Sequence, residues 1–342
     1  MAGTSGLHRC GGILRPQLPS VQLLFSRLRF YGLSRMRIAL LPVALLLSLV
    51  PQRLGDAAFV GIGVWYAGPD ARPPATATAD IDAVRRDLTT IRRAGFNAIT
   101  TWIAWRDAEP QRGVHALGAL ERIIAAAAQA DLKVAVVAYT DAPPVWAAND
   151  AQAAARFLEY ISKRLSLHEA VLAVSGPSPA AEAVRGRIDV RSGKAPEARL
   201  AMWSELARGA RHLAFAATDT PLSPALLSLG ETAGVVTRNL ALFAPLRPRT
   251  GGVAAIAGAV AGGRVEVRLL ESPEAILVIG LNYDPAPRKV TIMFSPEIPE
   301  AIWQNLETGT AVNFIMAKAG PFYEYTFGPR DALVLMIRKG LR

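Results

Sequence analysis

Asn97-Ala98-Ile99-Thr100-Thr101-Trp102, followed by Ile103-Ala104-Trp105-Arg106-Asp107-Ala108-Glu109-Pro110-Gln111-Arg112-Gly113, decides how the chain is read. Four of the first six residues, Ile99 to Trp102, are β-branched or aromatic, as suits a buried strand. Beyond Gly113 an Ala-rich run, Leu117–Ala130, has the length and composition of a helix. The intervening segment therefore places an aromatic, an arginine and a Glu-Pro corner where a strand turns into its following helix.

The same unit repeats on both sides. Phe59–Ala67 reads as a buried strand ending in Trp65-Tyr66, and Asp80 stands where it can cap a helix over Ile81–Arg93. Ile81, Val84, Leu88 and Ile91 make one apolar stripe on that helix, and Gly95 supplies a C-terminal stop. Leu132–Tyr139 is a third strand, leaving through Asp141-Ala142-Pro143-Pro144-Val145-Trp146. A helix over Ala151–Leu165 leads to a fourth strand, Ala170–Ser175. After a Gly/Pro-rich stretch, Gly176–Gly186, come a short strand Arg187–Arg191, a helix Pro196–Gly209, a strand His212–Ala217 and a long helix Ala225–Leu242.

Strands alternating with helices imply a parallel sheet, and repeated polar or aromatic strand exits favour a β/α barrel. Six strands fall between Phe59 and Pro245, where a full eight-stranded barrel needs ~250 residues. Two βα units are therefore expected to be missing. From Gly251 the texture changes, and from Val265 short alternating runs follow, separated by turns such as Leu306-Glu307-Thr308-Gly309, the pattern of an antiparallel β-sandwich. The expected fold is thus α/β, a shortened (β/α)8 TIM-barrel-like domain over 59–245, a linker at 246–262 and a β-sandwich over 263–342.

The 342 residues are 51% apolar and 19% charged, enough to bury a sizeable core. The net charge of +10 is uneven. Residues 1–58 hold seven arginines against one acid, Asp56, which leaves only +4 for the rest. Basic patches interleaved with aromatics are missing from that remainder, which argues against nucleic acid as a partner. Met36-Arg37 followed by the apolar run Ile38–Val50 reads as a secretory signal, with a cleavage site near Ala58, and is short for a bilayer span of ~20 residues. A secreted or periplasmic protein with no membrane attachment after signal removal is expected, with residues 1–35 an upstream extension. The single cysteine, Cys10, lies in that extension, so the mature chain has no thiol or disulfide.

Trp and Arg at strand exits suit a sugar, since an indole covers the apolar face of a pyranose while a guanidinium donates to its oxygens. Trp65, Trp105 and Trp146 could form such a floor or pack the top of the barrel, and Arg106 would donate beside it. Glu109 could bind sugar, or hold a structural corner by pairing with Arg106. Asp141 could meet a ligand or cap its loop. His115, His168 and His212 lack metal-ligand spacing, so no metal is expected. Arg191-Ser192-Gly193-Lys194 lacks the first glycine of a phosphate loop, and no dinucleotide fingerprint is present, so no cofactor is expected.

These stretches resemble the β-galactosidase-type glycoside hydrolases, family 42 in particular. Trp105-Arg106 with Glu109-Pro110 and Gly113 is similar to the element after that group's second strand. Ala142-Pro143-Pro144-Val145-Trp146 is similar to the exit of its third strand. Pro196-Glu197-Ala198-Arg199-Leu200 with Trp203 and Ala207-Arg208-Gly209-Ala210 resembles the helix before the last barrel strand. The resemblance implies hydrolysis of β-linked, possibly galactose-containing, sugars by two glutamates, one in an Asn-Glu pair after the fourth strand and one after the seventh. Here Ser178 before Pro179 stands at the first position, and a hydroxyl is too weak an acid to replace a carboxyl. The second corresponds to Asp189, as nucleophile or as the ion-pair partner of Arg187 or Arg191. Glu182 could serve as a displaced acid or lie in solvent. Three expectations follow: a hydrolase, a degenerate relative that binds carbohydrate or serves a structural role, or a chain that has lost an internal segment. The first two require Arg106, Trp146 and Asp189 to meet around one cleft.

Overall fold

The computed structural model describes residues 59–75, 80–148, 150, 152–176, 187–218, 222–257, 264–298, 302–318 and 320–339. The leader, Cys10, Ser178 and Glu182 lie outside the described residues.

Six parallel strands form the first layer: β1 (Gly61–Trp65), β2 (Ala98–Ala104), β3 (Lys133–Tyr139), β4 (Val171–Ser175), β5 (Arg187–Val190) and β6 (His212–Ala217). Their order is β4-β3-β2-β1-β6-β5, every neighbouring pair parallel. In a closed barrel the last strand pairs with the first, and β6 does so here. β5 and β6 therefore hold the last two places, and the two missing βα units belong between β4 and β5. No pairing joins β4 to β5 among the described residues, so the sheet stays open there.

Helix α1 (Ile81–Ala94) links β1 to β2. The Asp80 side chain accepts from the Asp82 N–H at its start, and Val84, Leu88 and Ile91 are fully buried on its inner stripe. Burying three such side chains stabilises by about 1.5–3 kcal/mol each, well beyond the contribution of one cap, about 1 kcal/mol. Short α2 (Trp105–Ala108) and α3 (Gly118–Gln129) follow β2, α4 (Ala153–Leu165) precedes β4, and α5 (Ala195–Ala207) joins β5 to β6. The expected long helix over Ala225–Leu242 is instead three pieces, α6 (Pro224–Ser228), α7 (Gly230–Arg238) and α8 (Leu240–Phe243). Gly230 opens the second piece, and a Cβ there would lie 2.2 Å from the Ala94 carbonyl oxygen, so only glycine lets the end of α1 pass this close.

One face of the sheet, with Ile62, Val64, Ile99, Val134, Leu213 and Phe215, packs under these helices. The other face carries Gly61, Gly63 and Trp65 from β1, Thr100 and Trp102 from β2, and Ala214 and Ala216 from β6. Small residues are required there because the sheet curls. Thr100 Oγ1 lies 3.2 Å from His212 Nε2, a contact between two strands that flank β1 rather than adjoin each other.

The C-terminal part is a two-sheet sandwich. One sheet has the order β13-β12-β16-β10-β9-β7, with β7 (Arg247–Arg249), β9 (Val265–Glu271), β10 (Ala275–Asn282), β12 (Trp303–Asn305), β13 (Ala311–Val312) and β16 (Ala332–Arg338). The other has the order β14-β15-β11-β8, with β8 (Val253–Ala257), β11 (Arg288–Phe294), β14 (Ile315–Ala317) and β15 (Gly320–Phe327). The interval 246–262, expected as a linker, therefore contains two sandwich strands: β7 pairs with β9 and β8 with β11. Pro248 is accommodated because β7 is an edge strand, where a missing N–H costs no ladder bond.

Val278, Ile292, Phe294, Trp303 and Leu335 fill the space between the sheets. Leu277, Ile279, Leu281 and Val334 on the opposite face join the core beneath α5. β10 is buried at every residue, which explains its unbroken apolar run. Arg199 of α5 fastens the two parts: Nε donates to Glu307 Oε1 at 2.9 Å, Nη1 to Asp331 Oδ1 at 3.0 Å and Nη2 to the Ala332 carbonyl at 2.9 Å. Burial opposes its charge, but the hydrogen bonds and charges of Glu307 and Asp331 outweigh burial, so the guanidinium holds its proton more firmly than usual. Trp203 donates to the same Glu307 at 3.0 Å.

Candidate functional site

Two groups of side chains gather at the C-terminal ends of the strands, where β/α barrels bind ligands. The first surrounds Glu109. As β2 ends, α2 begins at Trp105 and breaks the two-residue alternation of the strand, so the indole turns toward the helices. Trp105 is 2% exposed, stacked on Phe157 at 5.4 Å between ring centres and edge-on to Trp146 at 5.9 Å. Glu109, also buried, accepts from Trp105 Nε1 at 3.1 Å through one carboxylate oxygen and from the Gly113 N–H at 2.9 Å through the other. Its carbonyl accepts from Trp146 Nε1 at 3.0 Å. Gly113 takes φ +77°, a left-handed conformation that glycine adopts without strain. The carboxylate's partners are thus Trp105 and Gly113, whereas Arg106 is exposed and faces Asp107 at 3.9 Å. This constellation anchors a loop.

The second group lies on the other face of the sheet. Trp65 and Trp102 are 6.0 Å apart between ring centres, with Ala67, Ala71, Val137, Ala214 and Ala216 around them and half-buried Tyr139 at the rim. Trp102 Nε1 donates to the Ala75 carbonyl at 2.9 Å. Trp65 is 5% exposed, and its Nε1 is buried with no acceptor among the described residues. An unmatched buried donor costs about 1–3 kcal/mol, and Trp303 Nε1 in the sandwich core is left in the same state.

Over Trp65 lies Arg187, its Cζ 4.9 Å from the ring centre, a cation–π contact. Arg187 Nε donates to Asp189 Oδ1 at 3.0 Å. Ile188 and Val190 face the helices, so the strand's alternation sends Arg187 and Asp189 to the aromatic face. Registry places Asp189 beside Ala216 and Arg187 beside Ala214. Arg187 and Asp189 have side-chain exposures of 35% and 54%, so they are the accessible part of this group, with the indoles beneath.

The tryptophans expected to form one floor therefore fall into two clusters, Trp105 with Trp146 and Trp65 with Trp102, and the expected single cleft of Arg106, Trp146 and Asp189 is not formed, because Trp146 packs on the helix side and Asp189 lies on the opposite face. Asp141 is exposed in the turn after β3. At the end of β4 the Ser175 hydroxyl donates to the Val136 carbonyl at 3.4 Å. The ion-pair partner of Asp189 is Arg187, not Arg191. The sequence reading passed over Trp102, Tyr139 and Arg187 as site residues. Strand parity could have found them, because Trp102 and Tyr139 stand an even number of residues from the other inward positions of their strands. Among the described residues no cluster of three or more His, Cys, Asp or Glu side chains could hold a metal ion.

Residues 76–156, covering α1 to the start of α4, match the Glyco_hydro_42 family, described as beta-galactosidase. A solved glycoside hydrolase is similar with a TM-score of 0.52 at 11% identity, over 83% of this chain and 93% of that one. An alpha-amylase from Geobacillus thermoleovorans, solved with acarbose, gives a TM-score of 0.53 at 9% identity, over 84% of this chain and 100% of its own. GH5_18 from Bifidobacterium longum subsp. longum shares 20% identity over 33% of this chain and 32% of its own, with a TM-score of 0.29. The chain thus spans about a third of the length of that protein. No curated protein matches the chain. At such identities the structural likeness concerns the fold alone. Together with the strand order, it gives the chain a TIM-barrel-like fold with six barrel strands among the described residues, and residues 76–156 are similar to the family 42 glycoside hydrolases.

Proposed function

We propose that this protein binds carbohydrate beside Arg187 and Asp189, the accessible groups over the buried Trp65–Trp102 pair, with Arg187 as donor, rather than at the cleft expected around Arg106 and Trp146. The observation that carries the reading is the stack of Arg187, the first residue of β5, on Trp65, the last residue of β1, accessible from solvent through Arg187 and Asp189. Aromatic surface next to a guanidinium matches a pyranose, whose ring has an apolar C–H face and a rim of oxygens. In this reading Asp189 orients Arg187, and the protein holds a sugar without cleaving it. Ser175 and Gly176 at the end of β4 provide no carboxyl to protonate a leaving oxygen.

A second reading is hydrolysis of a β-linked sugar such as a β-galactoside. The observation favouring it is the place of Asp189 on β5, the next-to-last strand, which corresponds to the seventh of a full barrel. Asp189 would attack the anomeric carbon while Glu182 protonates the departing oxygen, which requires the two carboxyls about 5 Å apart. Trp105, Trp146, Arg106, Glu109 and Asp141 would then shape the surrounding loops. The basic-then-apolar leader supports the further proposal that the protein is exported.

A panel of aryl glycosides tested on the wild type and on Asp189→Asn separates the readings. Sugar binding without turnover in either protein supports binding alone. Turnover in the wild type that disappears in the variant supports hydrolysis, and absence of any binding or turnover overturns both.

A further inference from the structure

We propose that the sugar bound beside Arg187 and Asp189 is neutral and is held by two hydroxyls on adjacent ring carbons. One hydroxyl donates to Asp189 Oδ2 and the other accepts from a terminal nitrogen of Arg187. This rests on the carbohydrate reading above and specifies the substrate class for that same pair.

The first observation is what the ion pair leaves open. Arg187 Nε donates to Asp189 Oδ1 at 3.0 Å, a single hydrogen bond. Among the described residues Asp189 Oδ2 accepts from nothing, and the two terminal nitrogens of Arg187 donate to nothing. A carboxylate offers about four lone-pair sites and a guanidinium five N–H groups, so acceptor and donor capacity remain side by side. The neighbouring residues of β6 are Ala214 and Ala216, whose methyls compete for neither, and on the other side β5 ends the sheet. Both charged side chains are open to solvent, so a ligand reaches them without entering the buried aromatic layer.

The second observation is that the pair is held in place. Arg187 lies over the Trp65 ring, its Cζ 4.9 Å from the ring centre, and its Nε edge is fixed by Asp189. Exposed pairs on the helices, such as Arg85–Asp82 and Lys163–Glu159, rest on no ring among the described residues. A donor and an acceptor already fixed lose less freedom when a ligand arrives.

Charge selects the ligand. The pair is neutral as a whole, so an anion approaching Arg187 meets the Asp189 carboxylate, and a cation approaching Asp189 meets the guanidinium. A hydroxyl both donates and accepts, and is repelled by neither. One hydroxyl answers only half of the pair; two on adjacent carbons answer both halves at once.

The test uses methyl β-D-galactoside and two analogues that each lack one hydroxyl. The 6-deoxy sugar keeps its adjacent ring hydroxyls, whereas the 3-deoxy sugar has none adjacent. Each is titrated calorimetrically into the full chain. The 6-deoxy sugar should bind as the parent does, and the 3-deoxy sugar about tenfold more weakly, the loss of one hydrogen bond to a charged group. Asp189→Ala and Arg187→Gln should each abolish the difference between the two analogues, because a single remaining partner has no use for adjacent hydroxyls. Equal wild-type affinity for the two analogues overturns the paired-hydroxyl recognition and leaves the carbohydrate reading standing. Binding of none of the three sugars overturns both. A folded variant that still prefers the 6-deoxy sugar tenfold also overturns the proposal, and the wild-type comparison decides the matter even if a variant fails to fold.

Discussion

Thr100 and His212 touch at 3.2 Å although the strands that carry them are separated by β1. The contact passes over Gly61, where a Cβ would stand 2.3 Å from His212 Nδ1. The curl of the sheet thus depends on having no side chain on β1 at that point. Gly61→Ala should destabilise by about 1–3 kcal/mol, the usual cost of overpacking, seen as a lower denaturant midpoint. Gly118→Ala, in open surroundings with only the Arg122 guanidinium 3.8 Å away, serves as the control and should change stability little. Equal effects at both positions would remove the steric explanation.

Glu109 is the acceptor for two buried or half-buried donors, and its removal leaves Trp105 Nε1 and the Gly113 N–H without partners. Glu109→Ala should cost about 2–4 kcal/mol in chemical denaturation, while exposed Arg106→Ala should change stability by less than about 0.5 kcal/mol. A stable Glu109→Ala protein with impaired sugar binding would move Glu109 from scaffold to site.

Arg199→Met keeps much of the side-chain volume but strands Glu307 and Asp331, which have side-chain exposures of only 16% and 23%. Breaking a buried pair from one side costs about 3–5 kcal/mol. Partial exposure of Arg199 brings the expectation here to about 2–3 kcal/mol. Differential scanning calorimetry should show the transition moving down and broadening as the sandwich loosens from α5. An unchanged thermogram would mean that the apolar contact alone joins the parts.

Tyr66 donates to Asp87 Oδ2 at 2.7 Å from a fully buried ring. Burial first, then the hydrogen bond and charge of Asp87, push its phenol far above the ordinary tyrosine range. A pKa raised by folding gives stability that is present below the unfolded value, near 10, and is lost as the pH rises above it. Stability should therefore fall between pH 10 and 12. Tyr66→Phe should be about 1 kcal/mol less stable at pH 7 and show a shallower alkaline decline. Parallel declines in the two proteins would acquit Tyr66.

The α1 helix was legible because its cap, stripe and stop all lie within one short segment: Asp80, Val84-Leu88-Ile91 and Gly95. Six strands, the shortened barrel and the later sandwich were legible for the same reason, since each strand carries its own pattern. What escaped depends on contacts distant in sequence. The need for glycine at 230 answers to Ala94, and strand β7 hides in Arg247-Pro248-Arg249 because an edge strand needs little apolar signal. Trp105 and Trp65 both stand at strand exits, yet one begins a helix and the other ends a strand. That difference sends them to opposite sides of the sheet.

The sheet containing β10 is a party wall. Its two surfaces serve different rooms, one closing the sandwich and the other forming the ceiling over α5. A fragment cut near residue 246 would expose Leu277, Ile279, Leu281 and Val334 to water on one side of the cut and leave α5 roofless on the other. Neither half can be borrowed as a portable module, so any redesign of this scaffold must carry both rooms together.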